Sequence, residues 1–356
     1  MKRPCCRHRG VCSIVPPYML EALATHEDAE VREAARSSLL LTERLRGRRP
    51  LEALLARLSP LAPLARSHDG SEQRRMFTSN HTTKVPGMIV RQEGDPPSHD
   101  LAIDEAYDAA GIIYAFYREV LGRNSVDDRG MHLLSSVHYA HKFDNAFWNG
   151  LQMVYGDGDG NVFGTFTSCV DVIGHEMTHG VVQTEADLAY EGEPGALNES
   201  IADVFGTLAK QWHLKQSVDR ADWLIGAGLL KHKGAKALRS LKAPGTAYDD
   251  PALGGKDPQP AHMRDFVRMR ADDGGVHINS GIPNHAFFLF ATALGGKAWE
   301  VAGKIWYETL CSGIRATTDF HGFARATAKT AGAHGEAVAH ALAQAWDGVG
   351  IKTTRS

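Results

Sequence analysis

Apolar side chains between Asp100 and Leu121 fall at Ala106, Ile113, Phe116, Tyr117, Val120 and Leu121. That spacing returns to one face of a helix every three to four residues, and Gly122 suits its C-terminal cap. The pattern predicts a helix over the whole stretch. Upstream, residues 20–58 are rich in Ala, Leu, Glu and Arg, with Leu51, Leu54, Leu55 and Leu58 at helical spacing and Pro50 where a first helical turn tolerates proline. Pro60, Pro63 and Gly70 then mark Ser59 to Ser71 as a linker. Met88, Ile89 and Val90 form a short strand-like run. Residues 134–170 break into further β-type runs, Ser136-Val137-His138-Tyr139 and Met153-Val154-Tyr155, interrupted by glycines. From Val170 onward helical patterns dominate. Ile201, Val204, Phe205 and Leu208 fall at i, i+3, i+4 and i+7, and the Ala-rich region Phe323–Ala345 reads as a closing helix pair.

Length and composition fit that division. A chain of 356 residues exceeds one typical domain of roughly 100–200 residues, so two domains and an extra segment are expected. Hydrophobic residues at 43% and charged residues at 23% are an ordinary globular balance, and a net charge of -3 gives no reason to expect a nucleic-acid partner. No stretch approaches the roughly 18 uninterrupted apolar residues of a membrane span. The basic start MKRPCCRHRGVC is not followed by the apolar region of about 7–15 residues that a Sec signal peptide needs, so the protein is expected to stay in the cytoplasm or to leave by a leaderless route. Residues 1–75 carry 14 Lys+Arg against 9 Asp+Glu, and residues 76–356 carry 25 against 33, a net +5 facing -8. A basic, helical, separately linked segment facing an acidic remainder fits a docking prosegment, and equally a small helical domain with solvated charges.

Cysteines at 5, 6, 12, 169 and 311 are an odd number in a long chain and predict reduced thiols in place of a disulfide framework. Cys5, Cys6, His8 and Cys12 have metal-ligand residue types, but their spacing matches no structural zinc pattern, and mobile terminal thiols are expected there. The stronger signal is His175-Glu176-Met177-Thr178-His179, within a helix-compatible run that starts at Val170. Residues i and i+4 share a helix face, so both imidazoles can converge on one metal ion with a carboxylate beside its open position. A catalytic zinc needs a third protein ligand. Asn198-Glu199-Ser200-Ile201-Ala202-Asp203 offers Glu199, with Asp203 one turn on and able to orient a ligand imidazole; Glu199 is also placed to cap a helix N-terminus.

With these motifs, the chain over residues 76–351 resembles the thermolysin family of zinc metallopeptidases. Asn145-Ala146-Phe147-Trp148-Asn149-Gly150, Tyr155-Gly156-Asp157-Gly158-Asp159-Gly160, the HEMTH run, Gly195-Ala196-Leu197-Asn198-Glu199-Ser200 and Gly274-Gly275-Val276-His277-Ile278-Asn279-Ser280-Gly281 stand in family order with similar spacing. The N-terminal segment, with Pro16-Pro17-Tyr18, is similar to the short prosegment of the protealysin-like subgroup. The resemblance implies an α+β, two-domain metalloprotease, with residues 1–70 as helical prosegment and linker, 71–183 as a β-rich N-terminal domain that includes the HExxH helix, and 184–356 as an α-helical C-terminal domain. The active site would lie in the cleft between the last two. His175, His179 and Glu199 would ligate one zinc, and Glu176 would act as general base toward the zinc-bound water. Tyr190 and His277 would stabilise the tetrahedral intermediate, Asp272 would orient His277, and Asp203 would support the first zinc histidine. Asn145 and the Ala146 carbonyl would pair with substrate backbone, and Arg239 would hold the residue after the cut. Phe163, Phe166, Val172 and Leu238 would line an apolar pocket for that residue's side chain.

The implied function is hydrolysis of peptide bonds on the amino side of large hydrophobic residues by a monomeric enzyme made as a zymogen, its own prosegment acting as intramolecular inhibitor. The linker end Gln73-Arg74-Arg75-Met76-Phe77 offers apolar residues after mobile chain, so cleavage is expected between about Ser59 and Phe77. An inactive zinc-binding relative is the alternative reading, against which stand Glu176, Tyr190 and His277. One departure from the family concerns calcium. Asp171 and Asp222 remain, but Lys210, Leu224 and Ala227 stand where carboxylates are expected, so the double calcium site is expected to be absent. Asp157, Asp159 and Asn161 do not form an EF-hand, because Val162 and Ser168 occupy its Gly and Glu positions.

Overall fold

The computed structural model describes residues 12–58 and 71–354, with side chains described throughout except over 46–58. Cys5, Cys6, His8, Pro60, Pro63 and Gly70 lie outside the described residues. The expected α+β division is present. A six-stranded sheet has the order β1-β5-β6-β4-β2-β3. Its strands are β1 (Cys12–Ser13), β2 (Arg74–Thr78), β3 (Met88–Gln92), β4 (Leu133–Val137), β5 (Ala146–Trp148) and β6 (Met153–Tyr155). β4 pairs in parallel with β2 and β6, and the other pairings are antiparallel.

The N-terminal helices are α1 (Pro17–Leu23) and α2 (Ala29–Leu58). Pro50 therefore stands inside α2, not in the first turn of a separate helix. Proline costs a helix one backbone bond, but strong helix formers such as the flanking Ala, Leu and Arg carry the helix past it. Helix α3 (Leu101–Leu121) has the expected ends. Asp100 Oδ1 accepts from the backbone N–H of Ala102 and Ile103, and Gly122 closes the helix at φ 70°. The C-terminal half contains α4 (Val170–Glu185), α5 (Gly192–His213), α6 (Ala271–Asn279), α7 (Gly281–Leu294), α8 (Ala302–Cys311), α9 (Phe320–Gly332) and α10 (Glu336–Gly348), plus the short pair β7 (Leu224–Ile225) and β8 (Arg239–Ser240). Trp306 and Trp346 stack at its centre with ring centroids 5.9 Å apart. No helix among the described residues is long and apolar enough to cross a membrane.

Two glycines set the crossing of α4 and α5. A Cβ on Gly174 would lie 3.0 Å from Gly206 Cα, and one on Gly206 would lie 2.5 Å from the Asp171 carbonyl oxygen. The backbones touch here, and that contact holds α5 against the face of α4 that bears His175. Gly206→Ala gains helix propensity of up to about 1 kcal/mol but must push two backbones apart, which costs about 1–3 kcal/mol. A net loss in the urea unfolding midpoint is expected, and a gain would mean that the helices separate without penalty.

The glycine-rich turn after β6 is anchored by charge. His138 donates from Nδ1 to Asp157 Oδ1 at 2.9 Å and from Nε2 to Asp100 Oδ2 at 3.0 Å, tying the turn to the α3 N-cap. The hydrogen bond to Asp157 outweighs partial burial and raises the His138 pKa from 6.5 to about 9. A raised histidine pKa contributes stability that is complete below the unfolded value and is lost as pH climbs through the folded one. Unfolding free energy should therefore fall between pH 6.5 and 9, and His138→Gln should flatten that slope. Equal slopes for both proteins would exclude His138 as the source.

Candidate active site

Helix α4 brings His175 and His179 one turn apart on a buried face, and α5 lays Glu199 against them. His175 Nε2 and His179 Nε2 are 2.9 Å apart. Glu199 Oε2 is 3.5 Å from the first and Oε1 3.4 Å from the second. The opposite ring nitrogens are fixed: His175 Nδ1 donates to Asp203 Oδ1 at 2.8 Å, and His179 Nδ1 donates to Asn198 Oδ1 at 2.9 Å. With both protons committed to Nδ1, the two Nε2 lone pairs and a carboxylate face one point. Burial, with His179 beside it, pulls the His175 pKa down to about 4 and keeps the ring neutral. Burial alone would raise Glu199, but the His277, His179 and His175 rings outweigh it and hold this carboxyl at about 2. Glu199 Oε2 is buried without a hydrogen-bond partner. Such a cluster of acceptors is stable only around a cation, and a His2Glu set with nitrogen and oxygen donors suits zinc.

Glu176, fully buried, accepts from the backbone N–H of Trp148 at Oε2, 2.8 Å away, and its Oε1 has no hydrogen-bond partner. Burial pushes its pKa well above the ordinary carboxyl value, as a proton-accepting group near neutrality requires. On the far side, residues 272–275 at the start of α6 adopt left-handed backbone, including Asp272 at φ 53° and Asp273 at φ 49°. This sharp turn lets Asp272 grip His277 twice, Oδ1 taking Nδ1 at 2.5 Å and Oδ2 taking the backbone N–H at 2.9 Å. Burial lowers the His277 pKa, but Asp272 and Glu199 more than reverse it. Tyr190 donates its hydroxyl to Glu199 Oε1 at 2.5 Å and lies 3.3 Å from His277 Nε2. Arg239 on β8 makes a two-pronged contact with Asp203 at 2.8 Å from both Nε and Nη2, and Asn284 Nδ2 adds a third donor to the same carboxylate at 2.9 Å. Burial would raise Asp203, but Arg239 and His175 outweigh it and hold this carboxyl far below the usual carboxylate range.

The expected zinc-site residues and catalytic groups therefore converge, and residues 12–15 of the same chain lie among them. β1 adds to the edge strand β5, with Cys12 opposite Trp148 and Ser13 opposite Phe147. His277 Nε2 donates to the Ser13 carbonyl at 2.9 Å, and Ile14 N–H donates to the Ala146 carbonyl at 3.1 Å. Arg239 Nη1 donates to the Ile14 carbonyl at 2.9 Å, and Asn145 bonds both the N–H and the C=O of Val15. Ile14 is fully buried and belongs to the main apolar core, which also contains Phe163, Phe166, Val172 and Leu238.

Two expectations are corrected here. Cys12 is no mobile terminal thiol; it is 3% exposed in the cleft. Among the described residues, the N-terminal segment also meets the rest of the chain through an ion pair and an apolar contact. The ion pair that joins Glu30 of α2 to Lys142 at 2.7 Å has its acid on the basic segment, and Leu41 and Leu45 of α2 pack on a cluster of Tyr139, Phe143, Phe147 and Val154. Finally, the polar residues Arg74 and Arg75 before Met76 are not mobile chain, because they are part of β2, which pairs with β4 and β3 and buries Met76. Asn198, Asn284 and the Trp148 N–H were missed in the sequence. Asn198, adjoining Glu199, had a positional signal; the other two had none.

With that geometry in view, the family models described as "Thermolysin metallopeptidase, catalytic domain" and "Thermolysin metallopeptidase, alpha-helical domain" match residues 66–183 and 186–351. The chain belongs to the thermolysin metallopeptidase family. It is 44% identical over 349 residues to "Extracellular metalloprotease" of Pectobacterium carotovorum subsp. carotovorum, covering 97% of this chain and 98% of that protein. It is 37% identical over 255 residues to "Thermolysin" of Alicyclobacillus acidocaldarius, covering 68% and 44% respectively. Among solved structures, "Precursor of Protealysin, Metalloproteinase from Serratia proteamaculans" superposes with a TM-score of 0.86 at 48% identity, over 96% of this chain and 99% of that one. The chain is a zinc metalloendopeptidase acting on peptide substrates.

Next to the zinc helix, Lys210 donates to Asp171 Oδ2 at 2.8 Å and to the Leu224 carbonyl at 2.9 Å, and pairs with Asp222 Oδ1 at 3.0 Å. The ammonium thus sits among the oxygens that a cation would gather. Asp171 is 2% exposed, and Lys210→Met strands it without a counter-charge. Removing one partner of a buried pair costs about 3 kcal/mol or more, read as a drop in unfolding free energy at neutral pH. A loss under about 1 kcal/mol would rank the pair with ordinary surface ion pairs.

Proposed function

We propose that the chain is a zymogen whose N-terminal segment lies in the substrate cleft, and that the freed enzyme cuts peptide bonds on the amino side of large hydrophobic residues. The observation that carries this reading is the seat of Ser13, Ile14 and Val15, which bond to the groups assigned to substrate backbone, namely His277, Ala146, Arg239 and Asn145. The segment imitates a substrate by adding a strand to a sheet edge. In this reading residues 1–70 are prosegment and linker, and 71–183 and 184–356 are the two catalytic halves.

His175, His179 and Glu199 hold one zinc ion, which when bound supplies a Lewis acid for the peptide carbonyl and lowers the pKa of water to about 7. Glu176 takes the proton from the attacking water and delivers it to the leaving nitrogen. His277, oriented by Asp272, and Tyr190 donate hydrogen bonds to the developing oxyanion, where loss of one donor commonly costs about 2.7–4 kcal/mol. Arg239 holds the carbonyl of the residue after the cut while Asp203 keeps it in place. That residue's side chain enters the pocket of Phe163, Phe166, Val172 and Leu238, where burial stabilises it by about 25 cal/mol per Å2 and favours Leu, Phe, Ile or Met. The Lys210 ammonium among Asp171, Asp222 and Leu224 supports the absence of the double calcium site. The pairing of β2 on both sides favours a processing cut before Arg74, within residues 59–73.

Glu176→Gln spares all three zinc ligands and removes the proton acceptor, so one zinc per chain should remain while turnover falls by about 100-fold or more. Purified away from other proteases, that variant should stay full length while the wild type shortens. Substantial residual turnover would remove Glu176 from its role. Equal shortening of both would exclude self-processing, and full activity of uncut wild type would exclude the zymogen.

A further inference from the structure

The geometry points to the Cys12 thiolate as the fourth ligand of the metal in the full-length protein, so that the N-terminal strand blocks the site by ligation as well as by filling the cleft. This rests on the zymogen reading for the occupancy of the cleft, and adds to it a bond between inhibitor and metal. Cys12 Sγ and ligand atoms of His179 and Glu199 lie within 4.8 Å of one another, all three residues being buried. A catalytic zinc site has three protein ligands and one open position, and thiolate is among the ligands zinc prefers. A second observation concerns the carboxylates. Glu199 Oε2 and Glu176 Oε1 are buried acceptors without hydrogen-bond partners, as expected where a cation with room for one more ligand belongs.

The register of the strand explains why filling the cleft is not enough. Ser13 presents its carbonyl to His277, and Ile14 its N–H to Ala146 and its carbonyl to Arg239. These contacts align the Ser13–Ile14 peptide bond in the manner of a substrate. A segment so aligned is cut unless water is kept from the metal. Side chains two apart on a strand share a face, so Ile14 in the apolar cluster and Cys12 at the ligands follow from one strand placement. Ligation is a substitution without redox change. The thiol gives its proton to solvent, a sulfur–metal bond forms, and the water in the fourth position leaves.

The test is X-ray absorption at the zinc edge on full-length protein carrying Glu176→Gln, which keeps the chain uncut. One sulfur at about 2.3 Å is expected in the zinc shell, and Cys12→Ser in the same background should lose it while the other four cysteines remain. A shell of nitrogen and oxygen alone in the Cys12-containing protein overturns the proposal without recourse to any variant's folding. A sulfur that persists in Cys12→Ser overturns it too, since another cysteine then supplies the ligand. With Glu176 restored, Cys12→Ser and Cys12→Ala should both shorten the latent period of the uncut protein about tenfold, equal to about 1.4 kcal/mol. Unchanged latency with no sulfur at the metal would leave the zymogen reading standing and remove the ligand. Full activity of uncut wild type would remove the zymogen reading itself.

Discussion

Two imidazole lone pairs and a carboxylate facing one buried point constitute the constraint around which this protein is arranged. Left without a cation, three acceptors in a buried space repel one another and lose hydration that the Tyr190 hydroxyl returns only in part, at Glu199 Oε1. The protein commits to the arrangement from behind. Asp203 and Asn198 take the Nδ1 protons of His175 and His179, and Arg239 and Asn284 in turn hold Asp203. Gly174 and Gly206 give α4 and α5 the close contact that this geometry needs. The ligand set is thus prepared by folding, and its electrostatic tension is relieved by whatever positive charge arrives.

A similar problem outside the metal site has a different solution. Around Asp171 the oxygens are gathered by Lys210, a cation that belongs to the chain. One helix, α4, therefore carries at its first turn a carboxylate satisfied by a built-in ammonium, and one turn later imidazoles that await a dissociable ion. Folding can complete the first without any solute. The second stays chemically incomplete until a metal binds, which is where reactivity is needed.

Much of this was legible in the sequence because it depends on local periodicity. The i, i+4 spacing of His175 and His179 and the capping residues around α3 act within a turn or two, and the resemblance carried the remote partners Tyr190, His277 and Arg239. What escaped was decided by tertiary register. Nothing local indicates that Cys12 will lie opposite Trp148, or that Asn284 will reach Asp203 across 81 positions. The net charges of the two parts of the chain do not locate the contacts between them, whereas Leu41 and Leu45 on an aromatic cluster and a strand paired edge to edge supply close contact. Arg74 and Arg75 read as the polar end of a linker, yet both are strand residues of β2, paired with β4 and, at Arg75, with β3.

The placement of β1 also bears on solubility. β5 is an inner strand only while residues 12–13 lie beside it; without them the sheet ends on a short row of open N–H and C=O groups. Open edges are templates for any extended chain, including another copy of the same protein. Recognition of peptide backbone and the hazard of self-association thus reside in the same few atoms. With β1 in place those atoms are paired, so the edge that could recognise a peptide is the same edge that is closed to another copy.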